Sequence, residues 1–210
     1  MFDLKSTLGK LISEEIGKSL LDNGFTLKRK TDFVRNSDEI EQFVYVIFNK
    51  ARGQEAGTIQ VNIAFRHDKL EKKIAELKGA ELRKGWPTAS ISTGYLSEEC
   101  TYIDYYLDES TDIVDLGNQI VTQINKYAYA FWNKYSTLQG ILDGYVQKDF
   151  ALIAPLGNRY VWNLSAAYCL LGDTENAVKT LENWKEGRPS KDEIEEAINR
   201  IKAGLTETGE

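Results

Sequence analysis

A chain of 210 residues, 42% hydrophobic and 11% aromatic, can bury one large core or two small ones, which excludes extended disorder. No stretch reaches the about 20 apolar residues of a membrane span, so no membrane association is expected. The formal net charge of −6 argues against nucleic acid as a partner, because phosphate backbones need a strong local positive field.

The first segment, Phe2 to Asp22, places Leu4, Leu8, Leu11, Ile12, Ile16 and Leu20 at three- and four-residue steps, the stripe of an amphipathic helix. Asn23-Gly24 supplies residues that tolerate a left-handed helix end. Short strands are expected around Phe25 and Leu27 and at Phe33-Val34-Arg35. The dense run from Glu41 to Asn49 reads as a central strand covered on both faces. After a glycine-bearing loop, Ile59, Val61, Ile63 and Phe65 alternate with Gln60, Asn62, Ala64 and Arg66, the clearest strand in the chain. Asp68 and Glu71 read as a capping box for a short helix with Leu70, Ile74 and Leu77 on one face. Gly85-Trp86-Pro87 breaks the chain before a strand from Ala89 to Tyr95. In a last strand Thr101, Ile103, Tyr105 and Leu107 oppose Tyr102, Asp104, Tyr106 and Asp108. Short connections predict an antiparallel meander.

From Asp112 the pattern is helical, with Ile113, Leu116, Ile120, Ile124, Tyr127, Phe131 and Tyr135 on one side; this helix and the first are the candidates to cover the sheet. Ser136-Thr137-Leu138-Gln139 starts a new helix, and the domain boundary is placed there. The fold class is therefore α+β: an antiparallel sheet packed against helices over residues 1–136, followed by a helical subdomain over 137–210.

Leu164, Ser165, Tyr168, Ala177, Leu181 and Pro189, with Leu171-Gly172-Asp173 at a turn, fall at the spacings of one tetratricopeptide repeat, which residues 158–191 resemble. Val161 stands where that repeat usually carries Trp. The resemblance implies a helical hairpin that packs on the helix near 137–150 and on the first domain, since single repeats are rarely stable alone. A final helix from Asp192 to Leu205 has Ile194, Ile198 and Ile201 facing inward. Residues 1–135 resemble a bacterial family known only as domain of unknown function 4304, through Asn23-Gly24-Phe25, Asp32-Phe33-Val34-Arg35, Phe43 to Phe48 and Ile59-Gln60-Val61-Asn62-Ile63. That resemblance implies a bacterial helix-and-sheet domain and no particular activity.

The chemical inventory is thin. His67 is the only histidine and is read as exposed, so triads and multi-histidine metal sites lack their parts. No glycine pattern cradles a phosphate. Asp104 and Asp108 share a strand face but stand about 13 Å apart, too wide for a glycosidase pair. Cys100 and Cys169 form no metal or redox spacing, and Met1-Phe2-Asp3-Leu4-Lys5 does not resemble a signal peptide, so the expected location is the cytoplasm. The basic stretch from Arg66 to Lys84 is interrupted by Asp68, Glu71, Glu76 and Glu81 and reads as a solvated helix face. No cofactor, metal or catalytic residue is expected, and the balance leans away from an enzyme. One surface could recognise a protein: Gln60, Asn62 and Arg66 beside Tyr102, Asp104 and Tyr106, since tyrosine gives large contact area at low entropic cost. The expected function is a protein-interaction module, the class that includes inhibitors and immunity-type partners. The alternative is an enzyme or small-ligand binder with a carboxylate-containing pocket between the two domains.

Overall fold

The computed structural model describes residues 2–185 and 191–207. Asp3 opens the first helical run, its carboxylate accepting from the amides of Lys5 at 3.1 Å and Ser6 at 3.2 Å. The run comprises α1 (Leu4–Lys10), a π-helical stretch (Leu11–Ile16) and α2 (Gly17–Asp22). Leu4, Leu11, Ile12, Ile16 and Leu20 are buried, as their spacing requires. The π-stretch is a difference from the expected regular helix, and it closes with the Gly17 amide reaching back to the Ile12 carbonyl. Gly24, at φ +82°, ends the run in a Schellman motif in which the Phe25 amide bonds the Leu20 carbonyl at 3.0 Å.

Then follow β1 (Thr26–Arg29), β2 (Asp32–Ser37), β3 (Ile40–Lys50) and β4 (Gly57–His67). Next come α3 (Asp68–Lys78), β5 (Ala89–Ser92), a 3-10 turn (Thr93–Leu96) and β6 (Tyr105–Leu107). The sheet is antiparallel, in the order β1-β2-β3-β4-β5, with β6 also paired to β4. Alternation ran past the true strands in two places. β5 stops at Ser92, and residues 101–104 pair with no strand; only Tyr105, Tyr106 and Leu107 join β4, opposite Ile59, Thr58 and Gly57. A side chain on Gly94 would stand 2.3 Å from the Thr101 carbonyl oxygen, so this tight approach sets the loop's course.

The α-helices α4 (Ile113–Lys134), α5 (Leu138–Val146), α6 (Phe150–Ile153), α7 (Tyr160–Leu170), α8 (Thr174–Lys185) and α9 (Lys191–Glu207) complete the chain. It divides into two compact units, Met1–Phe65 with Ser90–Asn133, and Arg66–Ala89 with Lys134–Glu210.

In the first unit, Ile59, Val61, Ile63 and Phe65 are at most 1% exposed, each burial stabilising by about 1.5–3 kcal/mol. Of the two helices expected to cover this face, the long helix α4 does so. Phe65 meets Phe131 of α4 at 5.6 Å between ring centroids, and Trp132 donates to the Ala64 carbonyl at 2.9 Å. Helix α4 can approach the π-stretch because residue 117 is glycine: a Cβ there would stand 2.4 Å from the Cβ of Glu15. On the other sheet face Val34, Phe43 and Ala64 form a small second core flanked by Tyr45, so β3 is buried on both sides as its composition predicts.

In the second unit α7 and α8 form the expected hairpin. Gly172, at φ +83°, ends α7, with the Asp173 amide bonding the Tyr168 carbonyl at 2.9 Å. Ser165 and Ala177 are fully buried where the helices cross, and the Ser165 hydroxyl donates to the Ala177 carbonyl at 3.0 Å. Pro189, expected to end the second helix, lies outside the described residues. Helix α7 packs on α5 and α3, and α9 packs on α8 and α3. Ile194, Ile198 and Ile201 of α9 face inward. Thr137 caps α5 by accepting from the Gly140 amide at 3.1 Å.

Candidate functional site

The first unit carries the tyrosine surface. Cross-strand pairing of Tyr106 with Thr58 puts it on the outer face of β4 with Gln60, whereas Tyr105, opposite Ile59, turns inward. The Tyr105 hydroxyl donates to Gln123 of α4, and burial pushes its pKa up to about 12. Tyr102 and Tyr106 are 47% and 53% exposed. Tyr102 is nevertheless fixed: its hydroxyl donates to Gln60 at 2.6 Å, and its ring meets Tyr95 edge-on at 5.8 Å. Asp104 is exposed in the loop before β6 rather than on a strand. Asn62 is half-buried, and its side-chain oxygen is buried without a hydrogen-bond partner.

The segment around these tyrosines is strongly acidic. From residue 85 to 125 the chain has seven acidic side chains and no Lys or Arg. Asp108 and Asp112 serve local structure, bonding Ser110 and capping α4 respectively. Glu98, Glu99, Asp104 and Glu109 are exposed.

Arg66 does not belong to an open surface. It is 3% exposed and buried in the second unit, where it donates to Asp68 at 2.6 Å and to the carbonyls of Trp86 at 2.5 Å and Arg83 at 3.1 Å. A buried guanidinium is tolerable because these acceptors replace water. The expected capping box is also replaced. His67, which is 1% exposed rather than solvated, is the N-cap of α3, its Nδ1 accepting from the Leu70 amide at 3.2 Å. The His67 amide donates to the Thr88 hydroxyl at 3.0 Å, which donates in turn to Glu71 at 2.8 Å. Glu71 is thereby drawn off the cap and held toward the chain before β5.

Beside this chain of contacts, α3 and α7 enclose a cleft of about 280 Å³ within the second unit. Glu71, Ile74, Ala75 and Lys78 line one wall from successive turns of α3, and Arg83 follows from the next loop. Arg159, Trp162 and Asn163 line the other wall. Trp162 and Asn163 are 3% and 4% exposed, and the Asn163 amide donates to the buried Tyr145 hydroxyl at 2.9 Å. The Lys78 ammonium lies 4.8 Å from the Trp162 ring and 3.6 Å from Glu193, and the Arg83 guanidinium lies 5.4 Å from the Trp86 ring. Arg159 has no hydrogen-bond or ion-pair partner among the described residues. Desolvation raises the Glu71 pKa against the lowering influence of Thr88, Arg66 and Arg159.

None of these cleft residues stood out in the sequence as a site. The available signal was the mixed stripe Glu71, Ile74, Ala75 and Lys78, which the basic composition of the stretch disguised as a solvated face. Among the described residues no helix is long and apolar enough to cross a membrane. Neither a protein-family model, nor a curated protein, nor a solved structure matches the chain.

Proposed function

We propose that this chain is a protein-interaction module whose acidic, tyrosine-bearing face docks a basic protein surface, as an inhibitor or immunity-type partner would. The observation that carries this reading is the pair Tyr102 and Tyr106, about half exposed, with Tyr102 already held by Gln60 and Tyr95. A fixed ring loses little conformational entropy on binding, so its apolar area is available to a partner. The exposed acids around it would steer a cationic surface and reject an anionic one. The thin catalytic inventory agrees with a binding role.

The test is a pull-down from the cells that make the protein, with wild type and Tyr102→Ala/Tyr106→Ala, and a melting curve for each. The double variant should melt as wild type does and bind the captured partner at least roughly thirtyfold more weakly, the about 2 kcal/mol or more of a central tyrosine. Binding should also weaken as salt is raised. A variant that melts normally and keeps every partner would refute the reading. The cleft favours a second one, a binder of a small ligand, because it opposes an unpaired guanidinium to a half-buried carboxylate.

A further inference from the structure

We propose that the cleft between α3 and α7 binds a small zwitterion of the apolar α-amino-acid class, with the ligand's carboxylate on Arg159 and its ammonium on Glu71. This rests on the ligand-binder reading of the cleft and is independent of the tyrosine face.

The inference starts from charges that are present but unmatched. Glu71 and Arg159 both line the cleft and feel each other's charge, Arg159 lowering the Glu71 pKa, yet no direct ion pair joins them. The other cations already have company: Lys78 is held by Trp162 and Glu193, and Arg83 stacks on Trp86. Arg66 is saturated by Asp68 and two carbonyls. What remains, besides the exposed carboxylate of Glu81, is the exposed guanidinium of Arg159, suited to a two-pronged grip on a carboxylate, and the half-buried carboxylate of Glu71, whose sole hydrogen-bond donor is a threonine hydroxyl.

A ligand with a single charge would leave one of these groups unmatched, whereas a molecule with both charges on adjacent atoms satisfies each. The raised pKa of Glu71 agrees, since a partly desolvated carboxylate with few donors gains most from an incoming ammonium. Trp162, Ile74 and Ala75 supply apolar lining for a side chain. The volume of about 280 Å³ falls just below the usual drug-sized range of roughly 300–1,000 Å³, which suits a ligand of amino-acid size.

The experiment follows the Trp162 indole N–H resonance, identified among the four tryptophans by its loss in Trp162→Phe. The full-length protein is titrated with L-leucine, L-methionine and L-phenylalanine, then with isocaproate, which lacks the ammonium, and isoamylamine, which lacks the carboxylate. At least one amino acid should give a saturable shift, with both single-charge analogues weaker by roughly tenfold or more. Arg159→Gln and Glu71→Gln should each weaken the amino acid by a similar factor while melting no lower than wild type does. Tyr102→Ala/Tyr106→Ala should bind it unchanged, so the two readings can fail separately. The proposal is overturned if none of the three amino acids gives a saturable shift at millimolar concentration. It is equally overturned if isocaproate binds as well as leucine, or if folded Arg159→Gln and Glu71→Gln bind as wild type does.

Discussion

A carboxylate taken partly out of water is stable only where donors or cations replace its hydration, and Glu71 has a single hydroxyl in hydrogen-bond contact. Its pKa in the folded protein is therefore raised above the ordinary 4.5, desolvation outweighing Thr88, Arg66 and Arg159. The sign of the linkage follows: the contribution of this group to stability is fully present below 4.5 and is lost as pH rises through the folded pKa. Glu71→Gln keeps the shape and the contact with Thr88 but cannot ionise. It should therefore be at least as stable as wild type near neutral pH, with an advantage that shrinks as pH falls through the folded pKa toward 4.5 and is gone well below it. Urea unfolding at several pH values measures this, and an advantage that grows on acidification would refute the assignment. Asp149 is the opposite case. Desolvation also acts on it, but Lys134, Tyr135 and the Ala151 amide together outweigh that cost and lower its pKa. Its contribution to stability is present above the ordinary 3.8 and is lost as pH falls through the folded pKa.

At the scale of elements, the α7–α8 crossing makes the sharpest packing prediction. Ala177 is fully buried, and its carbonyl accepts from Ser165 across the helix pair. Ala177→Leu should force the helices apart and destabilise by about 1–3 kcal/mol through overpacking. A urea midpoint unchanged from wild type would mean that the crossing has room to spare. Elements of this kind were legible in the sequence because each announces itself through period. The stripe of α1 and α2, the alternation of β4, the small residues of α7 and α8 and the isoleucines of α9 all found their faces. What escaped depends on contacts far apart in the chain. Arg66 alternates correctly with Phe65 yet is buried, because carbonyls 17 and 20 residues away accept hydrogen bonds from its guanidinium. His67 takes the cap that the sequence pattern assigns to Asp68, and Thr88, 17 residues beyond Glu71, draws that carboxylate away from it. The cleft was hidden for the same reason, since its two walls lie on α3 and α7 and neither wall alone carries a motif.

At the scale of the molecule, neither unit is one continuous piece of chain: the second takes Arg66–Ala89 as well as Lys134–Glu210. A chain ended after Ser136, the boundary that the sequence pattern suggests, would keep all six strands described here together with α3. It would lose α7 and α9, the helices on which α3 packs, along with the bond from Arg200 to the Leu77 carbonyl at 2.7 Å. Leu70 and Leu77 are fully buried in the whole chain, and exposing each costs about 1.5–3 kcal/mol. Domains of this size are stable by only about 5–15 kcal/mol, so the combined loss is a large share. The 1–136 fragment should therefore melt well below the full chain, bind a hydrophobic dye and self-associate. The cause can be separated from a general effect of truncation. Replacing Leu70 and Leu77 by serine should restore a monomeric fragment if these leucines are the exposed surface, whereas the same change in the full chain should destabilise it. Light scattering and melting curves on the four proteins decide the matter. A monomeric 1–136 fragment that unfolds cooperatively within a few degrees of the full chain would show that α3 does not depend on α7 and α9.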